Sequence, residues 1–271
     1  MEHIAELIRA RKSVRTFDGT PLREEDRAKL AQYLTCIETP FDVPMEFRML
    51  DAKAHGLSSP VVTGTELYAA GKVRREPLAE AAFGFAFEKF VLYALSLGVG
   101  TVWIAGTMDR PAFERAMELT GDEIMPCVSP LGYAAPKMSL RESMMRKGVK
   151  ADRRLDFGTL FFDGAFDVPL TPEKAAILAE PLEAVRWAPS AVNKQPWRVI
   201  WDGRAAHFYE KKNWGYVSAS GWDLQKIDLG IALCHFSRAL AEKGITAAFG
   251  TNDPGLTAPQ DTEYIASYAL A

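Results

Sequence analysis

The sequence has few cysteines and no excess of positive charge, and both shortages exclude classes of protein. Cys36, Cys127 and Cys234 lie far apart without CxxC spacing, which argues against a disulfide framework or a zinc knuckle. Reduced thiols in a cytoplasmic protein fit this pattern better. The 32 Lys and Arg residues are outnumbered by 35 Asp and Glu, so charge gives no basis for predicting a nucleic-acid partner.

Signals for export, membrane insertion and metal binding are also missing. The N-terminus lacks an apolar core and a small-residue cleavage site, so we predict no signal peptide and a cytoplasmic location. The apolar stretch 90–106 is broken by Gly98 and Gly100, which favours a buried helix and strand over a membrane span. The four histidines have no ligand spacing, and His235 is expected to be a core residue. GxSxG, P-loop and GxGxxG motifs are absent.

Two pairs of similar segments indicate an internal duplication. Residues 21–34 and 169–182 each start with Pro-Leu and continue with the same apolar face of a helix. Residues 84–98 and 230–244 are both helical in pattern, and each begins and ends with glycine. Because the pairs occur in the same order at nearly the same spacing, we predict two diverged halves.

A polar and basic stretch, 141–157, lacks sustained apolar periodicity and predicts the break between the halves. We therefore expect a first half over residues 1–157 and a second half over residues 158–271. Helices are expected between the strands, which indicates an α+β fold with a helix-flanked sheet. The predicted strands are Glu46–Leu50, Val102–Ile104, Cys127–Tyr133, Arg198–Trp201 and Ala205–Tyr209.

The first segment with chemical potential is Arg11-Lys12-Ser13-Val14-Arg15. If the chain is extended here, Arg11, Ser13 and Arg15 point to one side. Two guanidinium groups and a hydroxyl suit a phosphate or an electron-rich carbonyl. A solvated basic surface is the alternative interpretation of this short motif.

The second such segment runs from Trp187 to Trp197 and reads WAPSAVNKQPW. Side-chain amides, a hydroxyl and backbone N–H groups are concentrated here between two prolines. The segment can therefore form hydrogen bonds with both edges of a polar planar ring. An elaborate loop, with Asn193 as a turn residue, is the alternative.

These two segments resemble the flavin-contacting motifs of the nitroreductase-like FMN proteins, Arg-x-Ser-x-Arg and Ala-Pro-Ser-x-x-Asn-x-Gln-Pro-Trp. Residues 97–106 and the Ser-Pro-Leu-Gly-Tyr of 129–133 resemble two further motifs of that family. The chain is similar to a subgroup in which two incomplete units are fused. The resemblance implies a layered α/β/α nitroreductase-like fold whose halves pack together as an intrachain pseudo-dimer.

The resemblance also implies one composite FMN site per chain, because each flavin motif occurs once. At the place in the first half that corresponds to the Asn-Gln loop, residues 36–44 lack the amides. Arg153 or Arg154 is implied as a late phosphate contact, with Lys150 as a competitor. The full set of implied flavin contacts is Arg11, Lys12, Ser13, Arg15, Trp103, Ala105, Gly106, Arg153, Arg154, Pro189, Ser190, Ala191, Asn193 and Gln195.

The implied activity is an oxidoreductase, a nitroreductase in the family's sense, that takes electrons from NAD(P)H and passes them to a small-molecule acceptor. No membrane or nucleic-acid partner is expected. A monomer is the simplest prediction, since the fusion supplies internally the pairing that ordinary relatives obtain as homodimers. A flavin-binding or sensing protein with little turnover is the alternative, and a purely structural domain is a third.

Overall fold

The computed structural model describes residues 3–218 and 221–271, which divide into two compact units. The first unit comprises Ala10–Ala79 and Ala86–Ala151. The second comprises Asp152–Ala271, Glu80–Phe85 and the N-terminal segment that ends at Arg9. Each unit is therefore assembled from more than one stretch of chain, and each has its own sheet.

The sheet of the first unit is antiparallel and centres on one strand that is buried on both faces. That strand, β2 (Leu67–Arg74), pairs with β1 (Met45–Asp51) on one side and with β3 (Glu123–Ile124) and β4 (Val128–Leu131) on the other. β2 was not predicted from the sequence, because a doubly buried strand carries no apolar-polar alternation and Gly71 further weakens the pattern. The prediction of β1 and β4 agrees with the structure.

The core of the first unit is a hydrophobic cluster that includes residues of β1, β2 and β4. Tyr68 of β2 meets Phe113 edge to face, with ring centroids 5.1 Å apart. Val102, Ile104 and Val128 are buried in the same cluster, and burial of each such side chain contributes about 1.5–3 kcal/mol. The helices with residues in this unit are α2 (Glu24–Leu34), α3 (Ala52–His55), α4 (Ala79–Ser96), α5 (Arg110–Ala116) and α6 (Leu140–Gly148).

The second unit has a mixed sheet of five strands in its described part. Its order is β5, β6, β7, β9, β8, and only the first pair is parallel. The strands are β5 (Phe161–Asp163), β6 (Trp197–Trp201), β7 (Ala205–Lys211), β8 (Ala247–Gly250) and β9 (Thr262–Leu270). The helices with residues in this unit include α1 (Ile4–Ala10), α7 (Phe157–Leu160), α8 (Pro172–Ala175), α9 (Ala179–Arg186) and α10 (Leu224–Glu242).

Three predicted elements differ from the structure. Residues 102–104 form no regular strand; the segment is extended and makes single bridges at Thr101 and Ile104. The predicted linker 141–157 contains most of α6, which begins after Ser139, whose hydroxyl accepts from the Glu142 N–H at 3.1 Å. The helix predicted within 169–182 is divided into α8, a 3-10 turn and α9, because Ala176 has a φ of 51°.

Two glycines that the duplication pairs, Gly84 and Gly230, allow α4 and α10 to touch within the second unit. A Cβ on Gly84 would lie 2.2 Å from the Ile227 carbonyl oxygen, and one on Gly230 would lie 2.0 Å from that of Ala81. Only glycine permits this approach at both positions. The reciprocal contact of matched residues is what a duplicated pair of helices would produce.

The apolar stretch after residue 90 is buried within α4 and the segment that follows it. Among residues 3–218 and 221–271, no helix has both the length and the apolar character needed to cross a membrane. His235 is fully buried in α10, with Nδ1 2.9 Å from the Ala184 carbonyl oxygen. The predicted core role of this histidine is confirmed.

Candidate functional site

In the first unit, the Arg11–Arg15 segment lies beside residues 100–104. The Val14 N–H donates to the Thr101 carbonyl at 2.9 Å, and Ser13 forms a parallel bridge with Thr101. Gly100 permits this packing, since a Cβ there would lie 3.1 Å from the Val14 side chain. The segment is extended directly after α1, as predicted, so two of the sequence motifs become neighbours.

Burial affects both arginines of this segment. The Nε of Arg11 is buried and donates to no acceptor among the described residues. Burial lowers the pKa of the Arg11 guanidinium, Glu88 acts in the opposite direction and Arg146 lowers it further. Burial likewise lowers the pKa of Arg15, Glu142 opposes this effect and Arg146 adds to it. The Lys12 side chain is exposed.

Glu142, which lies in the predicted linker, fixes the backbone at the end of this segment. Its carboxylate accepts from the Arg15 N–H at 3.2 Å, the Thr16 N–H at 3.0 Å and the Thr16 hydroxyl at 2.8 Å. The side chain is buried. Sequence reasoning missed it, although Ser139 followed three residues later by Glu142 is a helix-start signature that marks α6.

The segment after Thr101 presents the next predicted contacts. The Trp103 indole N–H donates to Glu88 Oε2 at 3.0 Å, and its ring meets Phe87 edge to face at 5.0 Å. The Ala105 carbonyl accepts from Arg110 at 2.8 Å, which fixes the turn. Gly106 is exposed, and nothing lies within 4 Å of the place that a Cβ would take there. The backbone of this turn is therefore open to a ligand.

In the second unit, the loop from Ser190 to Gln195 is strained. Val192, Asn193 and Gln195 have φ values of 51°, 56° and 52°. Each non-glycine residue in this region costs on the order of 1–3 kcal/mol, and such strain clusters at ligand-binding segments. The β-branched Val192 is the least suited to it.

Side-chain contacts hold the strained loop in place. The Ser190 hydroxyl accepts from the Gln195 N–H at 2.9 Å. Gln195 is 3% exposed, and its Oε1 accepts from the Leu155 N–H at 2.9 Å. The Asn193 amide donates to the Arg153 carbonyl at 3.0 Å. Each of these two side-chain amides therefore forms a hydrogen bond that joins the loop to residues 153–155.

The predicted late basic pair lies next to this loop within the second unit. The Arg154 guanidinium stacks on Trp187, 4.9 Å from the ring centroid, and its Nη2 donates to the Trp187 carbonyl at 3.3 Å. The Arg153 side chain is exposed. Pro189 and Ser190 are half-buried, whereas Lys150 belongs to the first unit and is exposed.

Asp228 of α10 anchors the loop, and its role was not predicted from the sequence. Its two carboxylate oxygens lie 3.0 and 3.1 Å from the Ala191 N–H. The side chain is 4% exposed. Burial raises the pKa of Asp228 well above its usual range, the bond from Ala191 opposes this, and the charges of Asp223 and Glu210 add to the rise.

These features define the class of protein: an α+β protein whose two units carry donor-rich, preorganised segments suited to an anionic and polar ligand. No group of three or more His, Cys, Asp or Glu side chains in the described ranges is arranged to hold a metal ion. Guanidinium and backbone donors at fixed positions are the usual means of holding oxyanions and electron-rich rings.

The family model described as "Putative TM nitroreductase" matches residues 3–240. The chain belongs to this family, as the sequence motifs indicated. A similar solved structure is a putative nitroreductase from Thermotoga maritima, 20% identical, with a TM-score of 0.62 over 100% of this chain and 94% of that one. At this identity, the match shows the fold alone.

Other matched structures cover about one unit's length of the chain. A nitroreductase family protein from Clostridium novyi NT is 18% identical over 50% of this chain and 87% of its own, with a TM-score of 0.42. An FMN-dependent nitroreductase from Clostridium difficile R20291 is 15% identical over 52% of this chain and 94% of its own, with a TM-score of 0.39. No curated protein sequence matches significantly.

Proposed function

We propose that this chain binds one FMN and works as an NAD(P)H-dependent oxidoreductase on a small-molecule acceptor. The observation that carries the proposal is the buried Nε of Arg11, which has no partner among the described residues. An unsatisfied buried donor on a cation costs more than a neutral one, so such a group is expected to meet a ligand. Ser13 and Arg15 follow it in the same extended segment.

The residues fit an anionic flavin in charge and in chemistry. Arg146 depresses the pKa of both Arg11 and Arg15, which shows that three guanidinium groups share one region of the first unit. Burial is the largest cause of both lowered pKa values; Glu88 opposes it at Arg11 and Glu142 opposes it at Arg15, each more strongly than Arg146 adds to it. A phosphate or a flavin pyrimidine edge would compensate these buried guanidinium groups through charge-assisted hydrogen bonds.

The proposed site is composite, and this part rests on the sequence resemblance. Arg11, Ser13 and Arg15 would come from the first half, and Ser190 and Asn193 from the second. The Gln195 Oε1 already accepts a hydrogen bond from the Leu155 N–H, so this side chain mainly holds the loop. It would offer the flavin only its remaining hydrogen-bonding groups.

When bound, FMN supplies two-electron chemistry between NAD(P)H and the acceptor. The chain itself binds, orients and compensates charge. Arg11 and Arg15 would stabilise negative charge on the reduced cofactor, and Asn193 would fix the ring edge. Preorganised donors in a partly dry site do this without reorganisation.

The test compares Arg15→Ala with Arg27→Ala, an exposed arginine of α2. Loss of one charge-assisted contact, about 1.5 kcal/mol, should weaken FMN binding by at least tenfold in Arg15→Ala and leave Arg27→Ala unchanged. Flavin fluorescence titration measures both affinities.

A purified wild-type protein without FMN affinity would disprove the proposal. A yellow protein that NAD(P)H does not bleach would instead indicate a flavin binder without turnover. Wild-type affinity and reduction rate in Arg15→Ala would remove this arginine from the site.

A further inference from the structure

Glu88 is a carboxylate buried in the middle of an apolar helix. It lies in α4 among alanine and phenylalanine residues and is 0% exposed. Burying a carboxylate in such surroundings costs several kcal/mol unless charged or hydrogen-bonding groups compensate it. The groups that compensate the buried charge of Glu88 therefore indicate what this residue does in the protein.

Two groups that compensate Glu88 belong to the predicted flavin contacts of the first unit. The Trp103 indole N–H donates to Oε2 at 3.0 Å. The Arg11 guanidinium is close enough for the Glu88 charge to raise its pKa against the effect of burial. Phe87, the neighbour of Glu88 on α4, meets the Trp103 ring at an interplanar angle of 86°. One turn of helix thus orients the Trp103 ring.

We propose that Glu88 is a positioning residue for the cofactor, with two separable effects. Its hydrogen bond fixes Trp103, and hence the turn that leads to Ala105 and Gly106. Its charge offsets part of the Arg11 charge beside the flavin. This inference rests on the proposed FMN site and extends it to the control of the flavin's reduction potential.

The sign of the charge effect follows from electrostatics. Two-electron reduction with uptake of one proton leaves the flavin with one more negative charge than before. A buried anion near Arg11 weakens the stabilisation of that charge, so Glu88 lowers the potential. Replacement by a neutral group should therefore raise the potential.

Three variants separate the effects. Glu88→Gln keeps an acceptor for Trp103 but removes the charge; Glu88→Met removes both; Trp103→Phe removes the donor and keeps the charge. We expect Glu88→Gln to bind FMN within about threefold of wild type. Its equilibrium between reduced and oxidised flavin should shift towards the reduced form by about tenfold, or about 30 mV for a two-electron couple.

The other variants follow from the same scheme. Glu88→Met should show the same rise in potential together with weaker FMN binding. Trp103→Phe should weaken binding without raising the potential.

Asp26→Asn is the matched control, because Asp26 is also a buried carboxylate of the first unit but bonds to Arg23 and Tyr133. Its potential should equal that of wild type.

Spectroelectrochemical titration gives the potentials, and fluorescence titration gives the affinities. A wild-type potential in Glu88→Gln would overturn the inference while leaving FMN binding intact. Failure of wild type to bind FMN would overturn the proposed function and this inference together. If Glu88→Gln does not fold, a raised potential in Trp103→Phe would contradict the assignment of the charge effect to Glu88.

Discussion

At the scale of single residues, several charged groups of this molecule are buried. Arg11, Glu88 and Glu142 lie far apart in the sequence. Glu88 and Glu142 each bond to a polar group in the same unit, whereas the Arg11 Nε finds no acceptor among the described residues. The sequence motif identified Arg11 because arginines around a serine form a recognisable pattern. It could not identify Glu88 or Glu142, since their partners are brought close only by the fold.

Glu210 of β7 gives a residue-scale prediction about pH. It is fully buried, and burial together with the charges of Asp223 and Glu263 raises its pKa to about 8, against the effect of Lys226. The folded protein therefore binds a proton at the Glu210 carboxylate more tightly than the unfolded chain does. The resulting stabilisation is complete below the ordinary Glu pKa and is lost as the pH rises towards 8.

Glu210→Gln, which imitates the protonated group, should therefore raise the melting temperature near pH 9 more than near pH 5. Thermal unfolding at both pH values measures the difference. Glu38→Gln, at an exposed position, is the control and should behave as wild type. Equal effects of Glu210→Gln at the two pH values would show that the buried charge does not govern stability.

Elements were predictable to the extent that local patterns reflect burial. Strands β6 and β7 were found because turn residues separate two short apolar runs. The central β2 was missed because its burial on both faces removes the alternation, and α6 was missed because its exposed face carries Leu140 and Met144. The Ser190–Gln195 loop was located correctly, but its positive φ values and its anchor Asp228 depend on tertiary contacts.

The crossing of α4 and α10 gives a prediction at the scale of elements. Gly230→Ala would place a Cβ 2.0 Å from the Ala81 carbonyl oxygen, a distance that requires the helices to move apart. Overpacking of this kind costs roughly 1–3 kcal/mol or more. We expect a clearly lower melting temperature.

Gly148→Ala is the matched control, since Gly148 is also helical and a Cβ there would have nothing within 4 Å. Alanine is the better helix former there by up to about 1 kcal/mol, so this variant should be at least as stable as wild type. Equal melting temperatures for the two variants would contradict the close crossing.

At the scale of the whole molecule, the family model and the matched structure indicate the same fold. The proposed composite site depends on the duplication hypothesis. The family model spans residues 3–240, and the Thermotoga maritima structure shares the fold over the whole chain. The division into halves at residues 157 and 158 stays a prediction. The packing units exchange segments, since Glu80–Phe85 and the N-terminal segment belong with the second. A cut in the sequence alone could not have shown this exchange.

The composite site that we propose within one chain predicts one FMN per chain and no rescue between chains. Arg15→Ala removes a group of the first half, and Asn193→Ala removes one of the second. If the site forms within a chain, co-refolding the two variants gives no chain with both groups, and FMN binding should stay as weak as in each variant alone. If copies shared the site, mixed pairs would contain one intact set and regain part of the binding. Flavin absorbance per chain and sedimentation of wild type complete the test: a ratio of one and a monomer are expected, whereas a tight dimer with rescued binding would show that the site is shared between copies.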